Sequence, residues 1–271
     1  MAENGKGSMG NEGFTGYWAV ILGASSGFGA ATARELARAG MDVCGVHLDR
    51  RATLPMAEAV KADVEAAGVE ALFVNANAAD AETRRQVAEA LKERGARVRV
   101  LMHSLAFGTL RPYIDEDPGQ EVSQKQLEMT LDVMANSLVY WTQDLFHAGL
   151  FDRDARIFAM TSEGSTRVWR GYGPVSAAKA ALEAHVRQLA VELARYGITV
   201  NAIQAGVTPT PAQAKIPGAD EMLREAERRN PSGRLTSPED VARAIRVLST
   251  PGLTWITGNV IRVDGGEALV P

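Results

Sequence analysis

The feature that most constrains the fold is an apolar segment that leads into a glycine-rich segment and then into a helical pattern. Tyr17–Leu22 is apolar without alternation, as in a parallel strand that is buried on both faces. Gly23–Gly29 (G-A-S-S-G-F-G) follows, and a helical pattern then continues to Gly40. Glycines allow a tight turn, and the helix N-terminus offers N–H groups to a pyrophosphate. This order predicts a dinucleotide-binding unit. We assign the cofactor contacts of the turn to Gly23, Ser25, Ser26, Gly27, Phe28 and Gly29.

The rest of the chain alternates short apolar segments with helical patterns. The further segments that predict strands are Asp42–His47, Val69–Val74, Val98–Met102, Arg156–Met160, Ile198–Ile203 and Asn259–Val263. Such alternation indicates a parallel sheet covered by helices. We therefore predict an α/β fold for residues 14–271: a single-domain, Rossmann-type, doubly wound parallel seven-stranded sheet with helices on both faces. Residues 1–13 are rich in Gly, Asn, Glu and Ser and are predicted to form a flexible tail.

Composition excludes several classes of function. The 271 residues carry a net charge of −4, which argues against a nucleic-acid or membrane-surface partner. No apolar segment is long enough to span a bilayer, and the first residues lack the apolar core of a signal peptide. The one cysteine, Cys44, lies in an apolar strand and has no partner for an internal disulfide. We expect no nucleic-acid or membrane partner, no metal site, and a reducing, cytoplasmic location.

The end of the second strand is informative about the choice of cofactor. In dinucleotide-binding folds an acidic residue at this place binds the ribose hydroxyls. Here the place falls on His47, which is not acidic, and Arg50 and Arg51 follow closely. Two guanidinium groups can hold a 2′-phosphate, so they favour NADP over NAD, although Asp49 precedes them and complicates this interpretation. A solvated loop is the alternative for both arginines.

Two further segments lie where strands end. Asn77 and Ala78 follow the third strand, where an adenine would lie in a doubly wound sheet. Ser104, Leu105 and Ala106 follow the fourth strand, where the order of strands is expected to reverse and ligands bind in the crevice. We expect His103, just before them, to make a structural hydrogen bond.

The segment from Ser162 to Lys179 contains a hydroxyl, a phenol and an ammonium in order. Tyr172 precedes Gly173-Pro174, and proline suits the first turn of a helix. Lys179 follows Tyr172 by seven residues, which is about two helical turns. If the turn before the helix is tight, both groups face one pocket, and the cation lowers the phenol pKa. Tyr172 then becomes a candidate proton donor.

Two longer segments frame this region. Ser123–Gly149 is predicted to be one long helix with an apolar stripe that can face another subunit. Residues 206–237 are long for a connection, carry four prolines and contain a short charged helix at Asp220–Arg229. Segments of this length are commonly lids, and we predict a lid over the substrate.

Taken jointly, the motifs from about Gly16 to Val270 resemble those of short-chain dehydrogenases/reductases. The motifs are G-A-S-S-G-F-G, Ser162, Lys179, V-N-A-I, S-P-E-D-V-A and I-T-G-N-V-I-R-V-D-G-G. Most members place a tyrosine four residues before the lysine, where this chain has Val175. The Y-x6-K spacing, together with H-S-L-A-F at His103–Phe107, is similar to enoyl-acyl-carrier-protein reductases, and most similar to the NADPH-using type III enzymes.

The resemblance implies a reaction and roles for named residues. NADPH would reduce the 2,3 double bond of an enoyl thioester, with NADH less favoured. Tyr172 would steady the enolate oxygen, Lys179 would hold the nicotinamide ribose, and Ser162 would add a hydrogen bond to the carbonyl. Gly206 and Val207 would pass beside the nicotinamide, and Thr210 would contact its amide or the pyrophosphate. Family members are commonly tetramers, so a homotetramer or homodimer is expected, with a carrier-bound or small acyl thioester as substrate.

Two alternatives stay open at this stage. A carbonyl or alcohol oxidoreductase of the same fold, similar to a 3-ketoacyl reductase, is supported by Ser162 in its usual place. A non-catalytic NADP-binding protein would explain the shifted tyrosine and the missing helix asparagine, whose place falls on Met134.

Overall fold

The computed structural model of the protein describes residues 13–270. The predicted tail at residues 1–13 therefore lies, apart from Gly13, outside the described residues. Within the described part, seven strands form one sheet in the order β3-β2-β1-β4-β5-β6-β7, and every neighbouring pair is parallel. The strands are β1 Trp18–Leu22, β2 Asp42–His47, β3 Ala71–Asn75, β4 Val98–His103, β5 Phe151–Ser162, β6 Thr199–Ala205 and β7 Val260–Val263. The predicted doubly wound sheet is confirmed.

Helices cover both faces of this sheet. They are α1 Gly27–Arg38, α2 Leu54–Ala66, α3 Ala81–Glu93, α4 Gln124–Leu131, α5 Ser137–His147, α6 Gly173–Leu193, α7 Ala219–Arg229 and α8 Pro238–Leu248. One apolar core joins the sheet to α3, α5 and α6, and the other joins it to α1, α2 and α8. Because both faces are buried, the strands are continuously apolar rather than alternating. Among residues 13–270, every helix is too short or too polar to cross a bilayer.

The prediction of one regular helix over Ser123–Gly149 is wrong in detail. A π-helical turn at Asp132–Asn136 separates α4 from α5. The start was recognisable, because Ser123 and Gln126 form a capping box at the N-terminus of α4. The interruption could not be predicted, because residues 132–136 contain neither Pro nor Gly. The side chains of Val133, Met134 and Ala135 are nevertheless buried there, so the stripe still faces the core.

The topology brings the predicted functional segments to the edge of the sheet where the carboxyl ends of the strands lie. The order reverses between β1 and β4, and this is where crevices form in doubly wound sheets. The glycine turn follows β1, Ser104 follows β4, Ser162 ends β5 and Gly206 follows β6. The long segment 206–237 leaves the same edge, contains α7 and then enters α8 through a capping box at Ser237.

Candidate active site

A cavity of about 360 Å³ opens at this edge of the sheet, beneath α7. The predicted site residues in its wall are Phe28, Ser104, Leu105, Ala106, Ser162, Tyr172, Lys179, Gly206, Val207 and Thr210. The predicted residues outside its wall are Gly23, Ser25, Ser26, Gly27, Gly29, His47, Arg50, Arg51, Asn77 and Ala78. The structure thus gathers the predicted catalytic group in the cavity, whereas the residues predicted to bind the adenosine half follow β1, β2 and β3.

The hydroxyl, phenol and ammonium come from two elements. Ser162 is the last residue of β5, Tyr172 directly precedes α6, and Lys179 lies two turns into α6. Lys179 is buried, and its Nζ donates a hydrogen bond to the carbonyl oxygen of Met160 at 2.6 Å. The Ser162 Oγ is buried and makes no well-formed hydrogen bond with any described residue. A polar atom buried in this way is available to a ligand in the cavity.

Close packing fixes the ring of Tyr172. A Cβ built on Gly164 would lie 2.5 Å from Cε1 of Tyr172 and 3.2 Å from Oγ of Ser162. The phenol therefore lies against the backbone of Gly164, in the turn that follows β5, and on the same side as Ser162. Val175, which occupies the usual tyrosine place, is buried and also lines the cavity.

Burial shifts the proton affinity of both titratable groups. Burial lowers the pKa of Lys179 to about 8, and the nearby carboxylate of Glu183 acts in the opposite direction. Glu183 is itself held by a 2.6 Å hydrogen bond from Oγ1 of Thr161. Burial raises the pKa of Tyr172 above its usual value, and the Ser162 hydroxyl opposes the shift. Lys179 has no part in this shift, so the prediction that its cation lowers the phenol pKa is wrong for the protein without a bound ligand. In the structure as it stands, Tyr172 is a neutral donor and Lys179 is a cation at neutral pH.

The glycine turn has the shape that a dinucleotide pyrophosphate requires. A Cβ on Gly23 would lie 2.5 Å from the carbonyl oxygen of Ser104, and one on Gly29 would overlap the carbonyl oxygen of Gly23. Helix α1 begins directly after Ser26, whose side chain makes no capping hydrogen bond among the described residues. The first N–H groups of α1 thus have no side-chain cap, which suits an anion. These residues fit a nicotinamide dinucleotide.

The residues after β2 are arranged differently from the sequence-based expectation. His47 is buried, and its Nδ1 lies 2.9 Å from Oδ2 of Asp49. Burial opposes ionisation of Asp49, but hydrogen bonds from Thr53, Ser25 and His47 together lower its pKa. The contact with Ser25 places this carboxylate beside the glycine turn. The Asp49 side chain is only 9% exposed, so the acidic residue that complicated the sequence-based interpretation lies against the glycine turn.

Arg50 and Arg51 are exposed, and neither forms an ion pair with a described residue. Their guanidinium groups are therefore available to a phosphate. Asn77 is exposed and caps its own turn, because its Oδ1 accepts a hydrogen bond from the N–H of Ala79 at 3.0 Å. Ala78 is buried, and its carbonyl oxygen accepts a 2.7 Å hydrogen bond from the indole of Trp141. The backbone after β3 is thus held firmly at the predicted adenine position.

His103 makes a structural contact, as expected. It is fully buried, and its Nε2 lies 2.8 Å from Oγ of Ser137. Ser137 donates its own proton to the carbonyl oxygen of Val133, so its oxygen accepts from His103. Burial, with the charge of Lys179 acting in the same direction, lowers the pKa of His103 to about 3. The imidazole is therefore neutral and locks the π-helical turn to β4.

Sequence reasoning missed a charged cluster in the cavity wall. Arg229, at the end of α7, lies 3.3 Å from Oε2 of Glu163 and 3.5 Å from Oε1 of Glu267. The carboxylate of Glu267 also accepts a hydrogen bond from the backbone N–H of Val207 at 3.1 Å. The members are separated by 38 to 104 residues in the chain, so no local motif could have signalled them.

A second contact missed from the sequence joins the cavity wall at Trp169 to the segment 206–237. The indole N–H of Trp169 donates to the carbonyl oxygen of Pro217 at 2.8 Å. A Cβ on Gly218 would lie 3.4 Å from the same indole ring. Trp169 belongs to the loop before Tyr172, and Pro217 belongs to the segment 206–237. The predicted lid is thus attached to the loop that carries the phenol.

Known proteins resemble this chain over almost its whole length. A family model described as Enoyl-(Acyl carrier protein) reductase matches residues 23–267. A 3-oxoacyl-[acyl-carrier-protein] reductase of Synechocystis sp. is 32% identical over 254 residues, covering 93% of this chain and 96% of that protein. A 1-cyclohexenylcarbonyl-CoA reductase of Streptomyces collinus is 30% identical over 253 residues, covering 93% and 86%. The crystal structure of an enoyl-[acyl-carrier-protein] reductase (NADH) of Aquifex aeolicus VF5 matches with a TM-score of 0.82 at 25% identity, covering 95% and 98%.

Proposed function

Because the chain belongs to the short-chain dehydrogenase/reductase superfamily it is an oxidoreductase, and we propose that it uses NADPH to reduce the 2,3 double bond of an enoyl thioester. The observation that carries the proposal is the position of Tyr172. Its ring lies in the cavity seven residues before Lys179, while Val175 fills the place of the tyrosine found in most members. The thioester is attached to a carrier protein or to a small thiol.

The distance between the reacting atoms explains the shifted tyrosine. In carbonyl reduction, one group receives both the hydride and the proton, so the donor must lie beside the hydride source. In conjugate reduction the hydride goes to the β-carbon, two atoms away from the carbonyl carbon, and the charge develops on the carbonyl oxygen. Tyr172 precedes α6 and does not lie on its first turn, where most members have the tyrosine. Its phenol is therefore farther from Lys179 and suits a carbonyl oxygen that lies away from the β-carbon. Donors aimed at developing charge contribute strongly to catalysis.

Three side chains act at or near the carbonyl oxygen of the thioester. The neutral phenol of Tyr172 donates a hydrogen bond to the enolate oxygen and stabilises it. Lys179 holds a ribose hydroxyl of the cofactor and, as a cation, lowers the phenol pKa when both face the same bound group. Ser162, whose hydroxyl is without a well-formed partner among the described residues, donates to the thioester carbonyl. NADPH, when bound, would supply the hydride to the β-carbon, and a proton taken up from solvent at the α-carbon would complete the reduction.

The cofactor is held along the ends of β1, β2, β4 and β6. The N-terminus of α1 binds the pyrophosphate, and Thr210 closes over the turn, because a Cβ on Gly27 would lie 3.3 Å from its Cγ2. Arg50 and Arg51 bind the 2′-phosphate. Asp49 faces His47 and Ser25 on the side of the glycine turn, and it stays ionised because hydrogen bonds outweigh its burial and lower its pKa. The two guanidinium groups therefore outweigh one negative charge at the 2′-phosphate.

Cofactor choice is tested by equilibrium binding. Replacing both Arg50 and Arg51 with Ala should weaken NADPH binding by at least tenfold and leave NADH binding unchanged, because only NADPH carries the extra phosphate. Tighter binding of NADH than of NADPH by the wild-type protein would contradict the assignment and give the ribose contact to Asp49.

The reaction itself is tested with paired substrates. Crotonyl and acetoacetyl thioesters are offered separately with NADPH, and we expect oxidation of NADPH only with the crotonyl compound. Tyr172→Phe should lower that rate by two to three orders of magnitude, because the phenol is the proposed donor, while the dissociation constant for NADPH stays the same. Turnover of the acetoacetyl compound alone would support a carbonyl reductase, which the 32% identity to a 3-oxoacyl reductase also favours.

A further inference from the structure

Glu267 is a buried carboxylate that the proposed chemistry does not use. It follows the turn after β7 and is only 2% exposed, yet its side chain lines the same cavity as Tyr172 and Lys179. Both of its carboxylate oxygens lie within reach of the Val207 N–H, at 3.1 and 3.4 Å. A Cβ on Gly206 would lie 2.8 Å from Oε2, so the carboxylate packs directly on the backbone after β6.

Keeping the Glu267 carboxylate ionised in this buried position costs free energy. Burial raises its pKa to about 7, and the charges of Glu163 and Asp264 act in the same direction. Arg229, which forms an ion pair with Glu267 at 3.5 Å, is shared with Glu163, and the charge of Arg167 opposes the shift only in part. A single backbone N–H could be satisfied by a neutral side chain at lower cost. The acceptor capacity of Glu267 therefore exceeds what the protein itself uses.

Together, Val207 and Glu267 present a donor next to an acceptor. The N–H of Val207 donates and the carboxylate accepts, and in the structure they satisfy each other. A primary carboxamide carries the complementary pair, because its oxygen accepts and its NH2 group donates. When such a group enters, one internal hydrogen bond is exchanged for two, and neither buried atom is left unpaired.

The surroundings indicate which carboxamide fits. Val207 lies between β6 and Thr210, and Thr210 touches the glycine turn at Gly27. A dinucleotide whose pyrophosphate lies at that turn extends along this segment toward Lys179 and carries its nicotinamide past Val207. We propose that Glu267 recognises the carboxamide of the nicotinamide ring, together with the backbone N–H of Val207. The assignment rests on the nicotinamide cofactor of the proposed function.

Binding of two oxidised dinucleotides tests the assignment without any substrate. NADP⁺ carries the carboxamide, whereas its 3-acetylpyridine analogue has a methyl group in place of the NH2 group. Dissociation constants are measured by titration calorimetry for the wild-type protein, Glu267→Ala and Glu267→Gln. The wild type should bind NADP⁺ on the order of tenfold more tightly than the analogue, since a hydrogen bond to a charged group is lost. In Glu267→Ala the two constants should become equal, and Glu267→Gln, which keeps a neutral acceptor, should fall between.

Glu225 provides a matched control. It also lines the cavity and lies 3.8 Å from Nε of Arg229, but on α7 and away from Val207. Glu225→Ala should keep the wild-type ratio of the two constants. Weaker binding of both nucleotides by Glu267→Ala with an unchanged ratio would give Glu267 a purely structural role and overturn the assignment. Absence of binding of either nucleotide to the wild type would overturn the proposed function as well, so the two failures are distinguishable.

Discussion

At the scale of single residues, the state of Lys179 determines when the proposed site can work. Burial lowers its pKa to about 8 and Glu183 opposes that shift, so the cation is present below pH 8 and is lost as pH rises above it. We expect kcat/KM with crotonyl thioester and NADPH to fall as pH rises through about 8. Glu183→Gln keeps an acceptor for Thr161 but removes the charge, and it should move the falling limb to lower pH. Identical pH profiles for the two proteins would contradict this role for Glu183.

Gly164 tests whether the placement of the phenol matters. An added methyl group would lie 2.5 Å from Cε1 of Tyr172, so Gly164→Ala must displace the ring. Small displacements at a reacting centre commonly cost about a hundredfold in rate. We expect a loss of this order in kcat and no change in the dissociation constant for NADPH. Gly119→Ala, whose methyl group meets only the flexible side chain of Asp117, serves as the control. Full activity of Gly164→Ala would mean that the ring position is not critical.

At the scale of elements, the segment 206–237 is attached at two places to the residues that follow β5. Trp169 binds Pro217 at one end, and Arg229 binds Glu163 at the other end of α7. Trp169→Phe keeps the ring but removes the hydrogen bond, which contributes about 1 kcal/mol. We expect KM for the thioester to rise about fivefold and limited proteolysis within residues 206–237 to quicken.

The exposed Trp255 provides the comparison for this prediction. Its indole is 97% exposed, so Trp255→Phe removes a tryptophan without touching the lid. It should leave both KM and the rate of proteolysis as in the wild type. If Trp169→Phe behaved in the same way, the indole hydrogen bond would have no part in holding the lid.

The elements that could be predicted are those whose signals are local. The strand Asp42–His47 and the cap at Ser237 agree with the sequence, because apolar runs and capping boxes act over a few residues. The strand β5 begins at Phe151, before the predicted Arg156. The polar residues Asp152, Arg153 and Asp154 gave no strand pattern, and pairing of Phe151 with Val98 of β4 extends the strand. The interruption of the long helix at Asp132–Asn136 also depends on tertiary contacts rather than on helix-breaking residues.

The residues of the candidate site also divide into those with a local sequence signal and those placed by tertiary contacts. Tyr172 and Lys179 could be paired from sequence because one helix start fixes both of them. Asp49 was noticed but could not be placed, since its side chain is directed by His47 and Ser25 rather than by the strand. Glu267 could not be found at all, because only the parallel order of β5, β6 and β7 brings it to Val207.

At the scale of the whole molecule, the sheet has two open edges in the described residues, β3 and β7, and exposed apolar side chains gather beside β7. β7 pairs with β6 on one side, and the described residues place no strand on its other side. Trp255 and Ile256, in the segment that leads into β7, and Val260, its first residue, are exposed. The segment also passes α6, because a Cβ on Gly258 would lie 3.6 Å from that of Ala190, next to the exposed Val191. Open edges and clustered apolar side chains are features that proteins normally cover.

We therefore expect a homo-oligomer in which a second copy covers this edge, extending the tetramer or dimer expected from the sequence. Sedimentation velocity at micromolar concentration should give a mass that is a multiple of the chain mass. The double variant Trp255→Ser and Val260→Lys should sediment as a smaller species, because it places a polar group and a charge on the surface that the second copy is expected to cover. Ile114→Ser, which alters an 83% exposed apolar residue outside this segment, should keep the wild-type mass. A monomeric wild type would contradict oligomerisation, and an unchanged mass for the double variant would move the interface to the helices.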